Sequence, residues 1–112
     1  MAKVIITEYL ERTVNKVFKG DSIKIFVLML SLEENPKKGK ELGQVGGIIM
    51  KEIKYKNYRF YFITDGYKIK FLKTSELNEL IIKFVRMSDK KHQQKTIDEI
   101  KKILRKIGEE GF

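Results

Sequence analysis

Cysteine is absent from the 112 residues, which excludes disulfides, thiolate zinc sites and cysteine nucleophiles. Histidine occurs once, as His92, so no paired-imidazole metal site can be built, and no metal or other cofactor is expected. No nucleotide-binding glycine loop or nucleophile elbow is present, and Gly46-Gly47 precedes a strand pattern, not a helix. Long apolar runs are missing as well: nothing approaches the roughly 18 residues of a membrane span. The opening MAKVIITEYLER turns charged too soon for a signal peptide. A cytoplasmic protein without membrane contact is expected.

Acids are the scarce charge. Lysine and arginine total 24 against 15 aspartates and glutamates, a net charge of +9. Polyanions are the natural partners of such a chain, because neutralising phosphates releases counterions. A lysine- and glutamate-rich surface of the hyperthermophile kind is the alternative. Length and a 42% apolar content fit one domain spanning 1–112 with a real core.

AKVII at the start reads as a strand. Thr7 then offers an N-cap for a helix to about Phe18 with Leu10, Val14, Val17 and Phe18 on one side, and Gly20 stops it. Asp21 or Ser22 caps a second helix, whose expected buried side is Ile23, Phe26, Val27 and Leu30, with Leu28 beside them, ending before Asn35-Pro36. Asn35 to Gly47 holds four of the eight glycines and the single proline, and reads as a loop anchored by Leu42 and Val45. From Ile48 the period becomes two, and Lys56-Asn57 turns one strand into the next. Asp65-Gly66 reads as a hairpin turn into a strand over Tyr67 to Leu72, and Leu80 to Val85 as a further strand. Ser88 or Asp89 caps a last helix with an Ile97, Ile100, Ile103, Leu104, Ile107 stripe. The expected class is α+β, an antiparallel sheet with a helical hairpin on one face.

The polar side of the strand block is nearly all cationic: Lys54, Lys56, Arg59, Lys68, Lys70, Lys83 and Arg86, with Tyr55, Tyr58 and Tyr61 interleaved. Cations beside aromatic rings suit single-stranded RNA, whose phosphates pair with the charges while its bases stack on the rings. The competing reading is an ordinary solvated sheet face with the tyrosines in the core. Arg59 is the sharpest case. Its planar fork can bracket two phosphate oxygens, or it can form a cross-strand ion pair with Glu52. His92, at the start of the last helix, is of the residue type that donates protons to leaving oxygens, although a lone surface histidine is more often inert.

The layout resembles the RelE/ParE toxin superfamily, in its HigB-like branch. The matching pieces are the opening strand and helical hairpin, NPKKGKEL (Asn35 to Leu42) followed by GGI, then NYRFYF with its DG turn, and IIKFVRMSDKK leading into IDEIKKIL. They cover nearly the full length. The resemblance implies a RelE-like microbial RNase fold, with N-terminal strand and helical hairpin packed on an antiparallel sheet plus a C-terminal helix. It further implies a metal-independent endoribonuclease that cuts mRNA on the ribosome and is neutralised by a cognate antitoxin protein. Carried over by position, Arg59 and Arg86 become phosphate-stabilising groups, Lys54 a base or clamp, and His92 the acid. Lys51, Lys56, Lys83, Lys90 and Lys91 complete the expected RNA-contacting set. Glu52 and Met87 stand where the family pattern has cations. A ParE-like, non-nucleolytic toxin and an inactive basic interaction domain are the alternatives the same resemblance allows. The apolar stripe of the last helix is read as core, with an antitoxin docking surface as its other use.

Overall fold

Residues 1–112 are described by a computed structural model. Strand β1 (Lys3–Ile6) leads into helix α1 (Glu8–Phe18), where the Thr7 hydroxyl accepts the Leu10 N–H and satisfies one of the four free donors of the first turn. A tight turn at Lys19–Asp21 reverses the chain into α2 (Ser22–Leu30), and the Ser22 hydroxyl donates to the Val14 carbonyl, fastening the two helices together.

The expected buried side of α2 is corrected. Ile25 and Met29 face the core, whereas Ile23, Val27 and Leu30 are exposed. The sequence SIKIFVLML is apolar almost all round, so its periodicity selects no face, and the short link from α1 decides instead.

Four further strands follow: β2 (Lys40–Val45), β3 (Ile48–Tyr55), β4 (Tyr58–Asp65) and β5 (Ile81–Asp89). The stretch expected to be a glycine-rich loop thus contains a strand. β2 lies antiparallel on β3 with an irregularity between Glu41 and Gly43, and Leu42 and Val45 pack partly into the core as anchors. The expected strand at Tyr67 to Leu72 is corrected too: it is helix α3 (Gly66–Phe71), because the Asp65 carboxylate accepts the Lys68 N–H and caps it. Aspartate before glycine serves a helix start as well as a hairpin turn.

The sheet order is β1-β5-β4-β3-β2. It is mixed, not wholly antiparallel, since β1 pairs parallel to β5. The helical hairpin delivers β1 to that edge, so no tight turn forces it to oppose its neighbour. Helix α4 (Gln93–Lys106) crosses the opposite face, burying Ile100 and Leu104. One core, under the helical hairpin, is built on Phe60, Phe62, Ile82 and Phe84; the second, under α4, on Met50, Tyr61, Ile63 and Val85. No helix is long and apolar enough to cross a membrane.

Candidate nucleic-acid interface

Strand register decides which cations share a side. Lys54 pairs with Arg59 and Arg59 with Ser88, one row across three strands; Glu52, Tyr61 and Arg86 form the next row. Both rows lie on the α4 face, because Arg59 alternates in step with Tyr61 and Ile63. Arg86 arrives there through a bulge. Tyr61 opposes Arg86 but Phe62 opposes Phe84, so Val85 is the extra residue. Strict alternation from Phe84 would have sent Arg86 into the hairpin core; the bulge turns it to the side already held by Lys83.

The two arginines share a side and neither is free. Arg59, 8% exposed, lies 3.3 Å through Nε from Glu52 Oε2, with Glu52 3% exposed. The charges are close but the N–H is not aimed at the oxygen, so the buried Nε has no hydrogen-bond partner. Nη1 donates to the Tyr58 carbonyl at 3.3 Å, which leaves most of the guanidinium's five donors uncommitted. Arg86 donates through Nε to Glu99 on α4 at 3.0 Å and through Nη1 to the Val85 carbonyl at 2.8 Å. Its guanidinium also lies over the Tyr9 and Phe112 rings, with centroid distances of 4.5 and 5.2 Å. Arg86 is therefore fixed by its surroundings on every side, and belongs to the fastening of α4.

The expected RNA-contacting lysines divide. Lys51 is placed elsewhere: it lies on the hairpin face, 4% exposed, and donates to the Lys37 carbonyl at 2.9 Å. Burial pulls its pKa below the usual lysine range, against the pull of Glu41 and helped by Lys37. Its alternation with Ile49 and Ile53 already put it on the apolar side. Lys83 reaches the Glu109 carbonyl at 3.4 Å, near the other end of the sheet. Lys68 and Lys70 ride on α3, not on a strand. Tyr55 and Tyr58 turn to the hairpin side against Phe18, and Tyr61 is fully buried.

What remains together is one end of the sheet. Lys54, Lys56, Lys90 and Lys91 are exposed there, around the β3–β4 turn and the turn at Lys90–His92, and none forms an ion pair. Lys56 takes φ 54, the left-handed conformation that closes the two-residue turn. A shallow hollow of about 370 Å³ lies between Asn57, Asp89, Lys90 and Lys91. A second, of about 310 Å³, has Lys38, Lys40 and Lys54 on its walls with Glu52 among them. The largest hollow, about 470 Å³ against Asn35–Lys38 and Thr74, contains none of the expected catalytic residues.

His92 belongs to this rim. Its backbone N–H and its Nδ1 both meet Asp89 Oδ1, at 2.9 and 2.7 Å, and the contact holds the Asp89 carboxyl below the usual carboxylate range. The imidazole is thereby oriented with Nε2 away from its partner.

Three polar residues outside the expected site set are central here: Glu52, Tyr61 and Ser88. Tyr61 and Ser88 share a buried 2.7 Å hydrogen bond, and burial pushes the Tyr61 hydroxyl up despite that bond. The alternation that grouped Arg59 with Tyr61 was the signal for the tyrosine; Ser88 needed the bulge. No group of three or more histidine, aspartate or glutamate side chains is placed to hold a metal ion. No family model, curated protein or solved structure matches this chain.

Proposed function

We propose that the chain grips single-stranded RNA with the cationic end of its sheet and acts as a toxin of the RelE/ParE type, an endoribonuclease that cuts mRNA without a metal. The observation that carries this reading is the gathering of Lys54, Lys56, Lys90 and Lys91, unpaired, on one rim with His92, in the same part of the sheet as Arg59. In the cleavage step the RNA 2′-hydroxyl loses its proton and attacks the adjacent phosphorus. Lys54 acts there as base or clamp, and the uncommitted donors of Arg59 stabilise the charge that builds on the phosphoryl oxygens. His92, oriented by Asp89, gives a proton to the departing 5′-oxygen. The products are a 2′,3′-cyclic phosphate and a 5′-hydroxyl. Arg86 drops out of the step, and an antitoxin neutralises the protein by covering the rim.

The pairings Arg59–Glu52 and Arg86–Glu99 favour a second reading, a non-nucleolytic toxin that holds its partner and cuts nothing. Primer extension on mRNA from a translating extract separates the two. On the first reading the protein produces cleavage sites, and His92→Ala reduces them by about 10²–10⁴-fold. Intact messages alongside blocked growth would establish the second.

A further inference from the structure

Tyr67 and Phe71 are 64% and 70% exposed, and their rings meet at a tilt of 43° with centroids 5.1 Å apart, one turn apart on α3. Two rings so placed leave on the order of 200–300 Å² of aromatic surface in water. The core does not need them, since α3 is anchored by Ile69 on its other side.

The surroundings are basic. Lys68, Lys70 and Lys73 stand beside the rings with no ion pair, while the nearby carboxylates Asp65 and Glu76 accept backbone N–H groups of Lys68 and Lys73. Lys70 reaches Gln44 of β2 at 2.7 Å, and β2 is the outer strand of the sheet. From there the edge passes Gly43, beside which Lys101 lies, and ends at Lys40 in the hollow it shares with Lys54. Glu41 is the single carboxylate on that strand. A cationic track thus joins the rim to the aromatic pair.

We propose that Tyr67 and Phe71 are a stacking ledge for unpaired bases of the same RNA strand whose phosphates the lysine rim holds. The inference rests on the RNA-binding reading above. β4 alone, eight residues long, separates the two sites by roughly 26 Å, so only a strand of several nucleotides occupies both. Aromatic stacking is indifferent to sequence and contributes through every base.

The test is fluorescence anisotropy with labelled oligouridylates of about 4 and about 16 nucleotides, the span of common single-strand footprints. Tyr67→Ala/Phe71→Ala is expected to weaken the longer oligonucleotide by about 10- to 100-fold and leave the shorter one unchanged. Lys90→Ala/Lys91→Ala weakens both. Tyr67→Leu/Phe71→Leu, which keeps apolar bulk but no ring, serves if the alanine variant melts early, and loses the same selectivity for length. Undiminished binding of the longer strand by either aromatic variant, with binding lost in the lysine variant, overturns the ledge and leaves the RNA reading standing. A wild-type protein that binds neither oligonucleotide overturns both. Should the aromatic variants change only self-association in sedimentation, the patch is a protein interface and the inference fails.

Discussion

The two faces of the sheet are built to different rules. The hairpin face buries 16 apolar residues in one cluster, with Phe62 and Phe84 in contact at 4.9 Å between centroids. The α4 face buries six, and interleaves them with Glu52, Arg59 and Ser88, all under 9% exposed. The hairpin face buries polar groups too, but there Lys51 and Thr64 each donate to a backbone carbonyl, of Lys37 and Ile81, whereas on the α4 face Glu52 and Arg59 meet as opposite charges with the Arg59 Nε left without a hydrogen bond. The first face carries the larger apolar core and the second a buried ion pair.

Phe84 and Val85 are chain neighbours, both fully buried, on opposite faces. Phe84→Ala is expected to cost about 3–5 kcal/mol in urea denaturation and Val85→Ala ~2 kcal/mol. Equal losses would break the contrast between the faces.

Glu52→Ala comes next, at about 3 kcal/mol, because it strands the buried Arg59 charge without a counterion. In a double-mutant cycle Glu52→Leu/Arg59→Met should lose much less than the two single changes together. Additive losses would show that Glu52 and Arg59 do not hold each other.

The Tyr61 hydroxyl sharpens the comparison through pH. Tyr61→Phe is expected to cost about 1 kcal/mol at neutrality. Folding raises the Tyr61 pKa, so this contribution is complete below the unfolded value of about 10 and is lost as pH climbs through the raised one. Lys51, on the other face, runs the opposite way: its pKa is lowered by folding, so stability rises with pH from that lowered value toward 10.5. Denaturation of Tyr61→Phe and Lys51→Met at several alkaline pH values should show the two trends removed separately.

The smallest effect on stability belongs to the rim. Lys90→Ala and Lys91→Ala should stay within about 0.5 kcal/mol of wild type in denaturation. Each should nevertheless flatten the salt dependence of RNA binding by roughly 0.7 in log–log slope, one phosphate contact apiece. An unchanged slope removes that lysine from the interface.

Local chemistry carried much of the reading from sequence, and tertiary choices defeated the rest. Thr7 announced α1 because a hydroxyl before an amphipathic run has few other uses. The Arg59–Glu52 pair was visible as one of two outcomes: the tight turn at Lys56-Asn57 sets Lys54 opposite Arg59 and brings Glu52 to it on the diagonal. The exposed Ile23, Val27 and Leu30 were not visible, because an apolar helix leaves its orientation to the neighbour it meets. Nor was β2, whose Gly43 is tolerated because β3 supplies the hydrogen bonds. At the candidate site the sequence showed cations but not their allegiances: Glu99, which holds Arg86, is thirteen residues away on α4.

The parallel pairing of β1 with β5 carries a consequence for synthesis. The Met1 amino group meets Asn78 across 77 positions, and the Lys3 N–H donates to the Leu80 carbonyl. Such distant partners lengthen the search a nascent chain must make, and parallel edges are slow to assemble. The first strand made therefore has to wait for one of the last, while the neighbouring β3–β4 hairpin can close early. Drugs or chaperones that delay emergence of the final third would leave β1 and the β5-facing edge of β4 without their partner, and that is where aggregation of this chain should begin.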